Sequence, residues 1–210
     1  MTPHYYITGI DGIGKTTQVD LLEKRLANQR THRVWLRFPI VFSLPLLVYA
    51  RLAGFTRYET FDGVRVGAWE FHRSALLRTL LPITQYLDTV LLSVGRVRIP
   101  LLLGRTLLFE RYALDVLVDA MVATGRANLH QGHLGRLFIQ LVPRNTHIVI
   151  MDAPVDQVRQ RRPDLKRDAV MESRALAYAD IARHRGYTVI RADQTIGDVE
   201  TSIREAVVRA

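Results

Sequence analysis

Tyr5-Tyr6-Ile7-Thr8, followed by Gly9-Ile10-Asp11-Gly12-Ile13-Gly14-Lys15-Thr16, decides how the rest of the chain is read. A short strand-forming run enters three glycines in six positions. From Thr16 to Gln29, Val19, Leu22 and Leu26 then recur at three- and four-residue spacing, as on one face of a helix. Strand, glycine turn and helix make the opening unit of a parallel α/β sheet. The octapeptide fits G-x-x-x-x-G-K-[ST] at every fixed position. Glycine at 12 and 14 tolerates the backbone conformations that aim successive N–H groups inward, and the helix beginning near Lys15 adds its positive end, so the turn suits phosphate oxygens. In such a loop Lys15 reaches the β- and γ-phosphates, and the Thr16 hydroxyl enters a Mg²⁺ shell. The plainer alternative is a glycine turn that only caps a helix.

Outward from that unit, short apolar runs alternate with longer amphipathic ones. Tyr5 to Thr8, Val34 to Phe38, Thr106 to Phe109, His147 to Met151 and Thr188 to Arg191 read as strands. Val199, Ile203, Ala206 and Val207 mark a final helix, and Val64 to Arg98 reads as one or two long helices with a kink or break near Pro82. The expected fold is α/β: a three-layer doubly wound sandwich on a five-stranded parallel sheet, one domain over residues 1–210 with no linker and no repeat. Ligands of such sheets collect beyond the carboxyl ends of the strands. There the sequence has Gly9 onward, Arg37 onward, and Glu110 with Arg111.

Composition excludes several classes. Hydrophobic residues make up 48% and charged residues 23% of 210, so disorder and coiled coil are poor descriptions. Cysteine is absent, which removes disulfides, thiolate metal sites and a cysteine nucleophile. Phe38 to Ala50 is broken by Pro39 and Pro45, and Thr79 to Gly95 by Asp88. Both fall short of a membrane span and are expected as buried core helices. With no leader pattern at Met1 to Ile7, residence in the cytoplasm is the default expectation. The net charge of +9 is almost all arginine, since only Lys15, Lys24 and Lys166 among 29 basic residues are lysine. These cations are scattered rather than blocked, which disfavours a polynucleotide partner and suits a small phosphorylated one.

The decapeptide Gly9 to Gln18 resembles the G-x-D-G-x-G-K-T-T-Q loop of thymidylate kinases. Further features follow in that family's order over nearly the whole chain: Leu36-Arg37-Phe38-Pro39, Glu110-Arg111-Tyr112, Met151-Asp152-Ala153-Pro154 with Arg161, and Ala192-Asp193-Gln194. The resemblance implies a P-loop kinase that uses ATP and Mg²⁺ to convert dTMP to dTDP. The nucleotide would lie on Gly9, Asp11, Gly12, Ile13, Gly14, Lys15, Thr16 and Thr17, with Mg²⁺ near Thr16 and Glu110. Arg37 and Arg111 would clamp the acceptor's phosphate, Asp11 would take its sugar hydroxyl, and Trp69, Arg73, Tyr112 and Asp115 would line its site. The catalytic set would be Lys15, Arg37, Glu110, Arg111 and Arg161. A homodimer packed through the apolar faces between Ser74 and Val94 is implied as well.

Trp69 and Arg73, four apart, would share one helix face; the plain alternative is a core tryptophan and a solvated arginine. For Asp11 the alternative is an Asx turn. Glu110 stands where the family usually has aspartate. Asp115 and Asp119 depart further, and with Arg111 they repeat at i, i+4 and i+8, either as an ion-paired helix face or as an acidic rim that selects another acceptor. Arg159 to Arg167 carries five cations around Pro163 and is expected to be a short lid; a solvated basic turn is the alternative. His130 and His133 lack a third metal ligand at suitable spacing. Two other readings stay open: a P-loop kinase for another nucleotide, a nucleoside or a sugar phosphate, and a non-catalytic ATP-binding regulatory module.

Overall fold

A computed structural model describes residues 3–61, 64–166 and 168–208. Among the described residues, seven strands and nine α-helices follow in the order β1 (His4–Thr8), α1 (Lys15–Arg25), β2 (Thr31–Trp35), α2 (Leu44–Leu52), β3 (Thr56–Phe61), β4 (Val64–Trp69), α3 (Ala75–Ser93), α4 (Ile99–Leu102), β5 (Thr106–Arg111), α5 (Ala113–Thr124), α6 (His133–Gln140), β6 (Thr146–Asp152), α7 (Val155–Arg161), α8 (Met171–Arg185), β7 (Thr188–Arg191) and α9 (Ile196–Val208). Five strands form one all-parallel sheet in the order β2-β5-β1-β6-β7. Helices lie on both of its faces, as the alternating pattern leads one to expect.

Alternation along β1 assigns those faces. Tyr6 and Thr8 point to the side of α5 and α8, where their hydroxyls meet Asp115. Tyr5 points the other way, to the side of α1 and α9, which Gln18 and Arg25 tie together through Ile196 O and Glu200. The core is continuous across the sheet and includes Tyr6, Ile7, Phe109, Leu114, Leu117, Phe138, Ile150 and Ile181.

The structure corrects several expectations from the sequence. β2 runs from Thr31 to Trp35, three residues upstream of Val34–Phe38, because the chain turns out of the sheet: Phe38 has φ 44°, which no strand residue adopts. The first helix ends at Arg25 rather than Gln29. Val64–Trp69 is a strand, not the start of a helix; it pairs antiparallel with Thr56–Phe61 in a separate hairpin. Helix begins only at Ala75, where the Ser74 hydroxyl accepts from Leu77 N, and it runs through Pro82 unbroken to Ser93 before a π-helical turn at Val94–Arg98. Pro82 has no N–H for the carbonyl of Arg78, which instead accepts from the Arg126 guanidinium at 3.4 Å.

Nor are the two greasy segments buried core helices. Ile40, Phe42, Leu44, Val48 and Leu52 are exposed, and α3 buries only one face. Among the described residues no helix is long and apolar enough to cross a membrane.

Candidate functional site

The site begins with the turn between β1 and α1. Gly9, Gly12 and Gly14 take φ of 141°, 79° and 103°. A Cβ at Gly9 would sit 2.5 Å from the carbonyl oxygen of Met151, so the neighbouring strand permits only glycine there. A Cβ at Gly12 would meet Leu165 Cδ1 at 2.9 Å and Arg162 Cγ at 3.1 Å, so the segment after β6 lies against this loop. α1 starts at Lys15, and its first-turn residues Lys15, Thr16 and Thr17 line a cleft of about 490 Å³. That cleft is lined by Gly12, Gly14, Lys15, Thr16 and Thr17 on one side and by Asp11, Arg37, Glu110 and Arg111 from the neighbouring strand ends.

Three cations converge on the Asp11 carboxylate. Arg37 Nη2 lies 2.9 Å from Oδ2, Arg111 Nη2 is in direct contact with Oδ1, and Lys15 Nζ is 3.9 Å away. Lys15 is 5% exposed, and its ammonium donates to the carbonyls of Gly9 and Ile10 at 2.8 and 2.7 Å. Burial pushes its pKa down from 10.5 to about 8, with Arg37 nearby acting in the same direction and Asp115, Glu110 and Asp119 acting against it. Asp11 thus meets three cations at the mouth of the sheet, with Asp115, Glu110 and Asp119 contributing negative charge around them.

Beside the loop, the Thr16 hydroxyl donates to Glu110 Oε1 at 2.5 Å. The other glutamate oxygen accepts from Arg33 Nε and Nη2 at 2.9 and 2.5 Å. A hydroxyl and a carboxylate oxygen side by side are hard oxygen donors, and they suit a Mg²⁺ ion that takes one or two protein oxygens and its remaining ligands from phosphate and water. The residues present fit such an ion. Among the described residues no group of three or more histidines and carboxylates could hold a metal without that help.

Other expected site residues lie elsewhere. Asp115 is 1% exposed; it accepts from the hydroxyls of Tyr6, Thr8 and Tyr178 at 2.6, 2.9 and 2.8 Å and from Tyr112 N at 3.0 Å. Four donors occupy its two oxygens, so it is not available to line an acceptor site. Tyr112 is also turned inward, with its hydroxyl 2.6 Å from Ser93 Oγ. Trp69 ends β4 and packs between Phe38 and Phe71, whereas Arg73 sits in the single turn Phe71–Arg73 and pairs with Glu70 at 2.6 Å. They share no helix face, because the strand ends between them.

The Arg161 guanidinium donates to the carbonyl of Ala192 at 3.0 Å, away from the cleft; Arg162 lines it instead, paired with Asp164. α7 stops at Arg161, one turn Pro163–Leu165 follows, and Arg167 lies outside the described residues.

Two participants were missed by sequence reasoning. Arg33, on Glu110, looked like one more arginine in a basic chain. Arg174 links Asp119 at 2.9 Å to Asp168 at 2.9 Å, and Asp119 Oδ2 also faces Arg37 Nε at 3.7 Å. Asp119 therefore belongs to an ion-paired network that reaches Arg37 at the cleft.

No protein-family model and no curated protein matches this chain.

Proposed function

We propose that this protein is a thymidylate kinase-like P-loop kinase that transfers the γ-phosphoryl group of ATP to dTMP. The observation that carries this reading is the convergence of Lys15, Arg37 and Arg111 on one cleft lined by the glycine loop and the first turn of α1. Two phosphate-bearing molecules must be brought end to end against their mutual repulsion, and transfer then depends mainly on positioning and on charge placed beforehand.

The loop amides and Lys15 hold the β- and γ-phosphates. Arg37 and Arg111 exchange the Asp11 carboxylate for the acceptor's phosphate, and Asp11 is released to a sugar hydroxyl. An oxygen of the acceptor phosphate forms a bond to the γ-phosphorus while the bond from that phosphorus to the β–γ bridging oxygen breaks, so ADP leaves with the bond electrons. Thr16 and Glu110 would hold Mg²⁺, which supplies neutralisation of charge on the β- and γ-oxygens. Arg162, above Gly12, is the cation best placed to cover the transferring group. Such a kinase works in the cytoplasm on small nucleotides, with no membrane or polynucleotide partner.

A second reading, a kinase for another acceptor, rests on one observation: Asp119, with Arg174 behind it, stands next to Arg37. The test is release of ADP from MgATP in the presence of each nucleoside monophosphate and of sugar phosphates. Diphosphate from dTMP supports the first reading. Product from a different acceptor alone replaces the substrate and keeps the kinase. Binding of ATP with no acceptor-dependent ADP release makes the protein a nucleotide-binding module.

We also propose a homodimer. Leu76, Leu80, Ile83, Leu87 and Leu91 on α3 and Val94 in the π-helical turn after it form one apolar stripe, each 37–53% exposed. A stripe of that length is the kind of surface that a second copy covers.

A further inference from the structure

We infer that Arg33 is a positioning residue, which holds the long Glu110 side chain so that a single carboxylate oxygen faces Thr16 and the divalent cation. This rests on the phosphate-loop reading of the cleft and adds a residue outside its lining.

Three observations carry it. First, the Arg33 fork is fully engaged: Nε and Nη2 both donate to Glu110 Oε2, at 2.9 and 2.5 Å, and Nη1 donates to Asp20 Oδ1 at 2.5 Å. Second, the split is clean. Oε2 belongs to Arg33, and Oε1 accepts from the Thr16 hydroxyl at 2.5 Å.

Third, the sheet is irregular at this point. β2 and β5 run in register from Thr31 opposite Thr106 to Val34 opposite Phe109, and then Trp35 lies opposite Arg111. Glu110 has no counterpart on β2, so the ladder between the two strands is interrupted at this residue. Arg33, opposite Leu108, lies on the same face of the sheet as Glu110, directly behind it.

The physical need is plain. A glutamate has one more rotatable bond than an aspartate, so an unrestrained carboxylate at the strand end samples several positions, and hard-cation sites demand fixed oxygens. A planar guanidinium fork that donates twice to one carboxylate oxygen restrains it. Partners behind a metal-binding carboxylate set affinity in this way.

The test is the Mg²⁺ concentration that half-saturates the extra thermal stabilisation given by ADP, read in the wild type and in Arg33→Gln. The expected result is a rise of about tenfold in that concentration, with metal-free ADP binding, measured in EDTA, unchanged. Arg33→Lys keeps the charge but not the fork and is expected to show part of the same rise; it also serves if Arg33→Gln does not fold. Adding Glu110→Asp to Arg33→Gln is expected to lower the Mg²⁺ requirement again, because the shorter side chain needs no restraint. An unchanged Mg²⁺ requirement in both Arg33 variants, or an equal loss of metal-free ADP binding, overturns the role of Arg33 alone. A wild type that binds no adenine nucleotide overturns the phosphate-loop reading and this inference together.

Discussion

Lys15 carries its charge at a place where burial opposes it. In the folded protein it titrates near 8, whereas in the unfolded chain it stays protonated up to about 10.5. Between those values the unfolded state holds more protons, so this group's contribution to stability rises with pH. Bound phosphate acts in the opposite direction on the ligand side, because anions favour the ammonium. Nucleotide binding is therefore expected to take up a proton above pH 8 and to weaken as pH rises further. Calorimetry in two buffers of different ionisation enthalpy reads this directly, and proton release would contradict it.

Lys15→Ala should lower transfer by about a hundredfold or more. It should leave the melting temperature of the ligand-free protein nearly unchanged, since the burial penalty of the ammonium offsets its two bonds to Gly9 and Ile10. Asp115 is the contrasting case. Asp115→Ala leaves three buried hydroxyls and the Tyr112 amide without their acceptor and should destabilise the fold by roughly 3 kcal/mol or more, as measured by urea unfolding. A variant of normal stability with altered acceptor choice would return Asp115 to the acceptor site.

At the level of elements, the turn between β1 and α1 depends on what β6 places beside it. Gly9→Ala meets both a φ of 141° and the Met151 carbonyl, so a loss of about 2 kcal/mol or more is expected from chemical denaturation, whether or not any ligand is bound. The same elements show how legible the chain was. β1, the glycine turn and β7 could be read closely, because their signals are local: β-forming side chains, glycines at fixed spacing, polar flanks. β4 could not. Val64-Arg65-Val66-Gly67-Ala68-Trp69 alternates too briefly to be told from a helix start, and only pairing with Thr56–Phe61 makes it a strand. That pairing also separated Trp69 from Arg73. Pro82 does not break the helix for a related reason: its missing bond is a local defect that Arg126, 44 residues later in the chain, moderates through the Arg78 carbonyl.

For the molecule as a whole, the outer stripe of α3 predicts association. Light scattering should give twice the mass of one chain, and Ile83→Glu combined with Leu87→Glu should give a single chain with unchanged secondary structure. A wild type that is monomeric at micromolar concentration removes the proposed dimer and leaves the cleft untouched.

The sheet class, its five parallel strands and the glycine turn with Lys15, Arg37 and Arg111 near strand ends could all be read from residue order, since hydrophobic period and backbone freedom are short-range properties, whereas the order of the strands came from the tertiary structure. Which carboxylate faced the cleft could not. Asp11, Asp115 and Asp119 are alike in sequence, but one meets three cations, one is closed off by four donors and one joins Arg37 to Arg174. Such assignments depend on the partners that the tertiary structure brings within 4 Å, and a carboxylate's role follows from its partners.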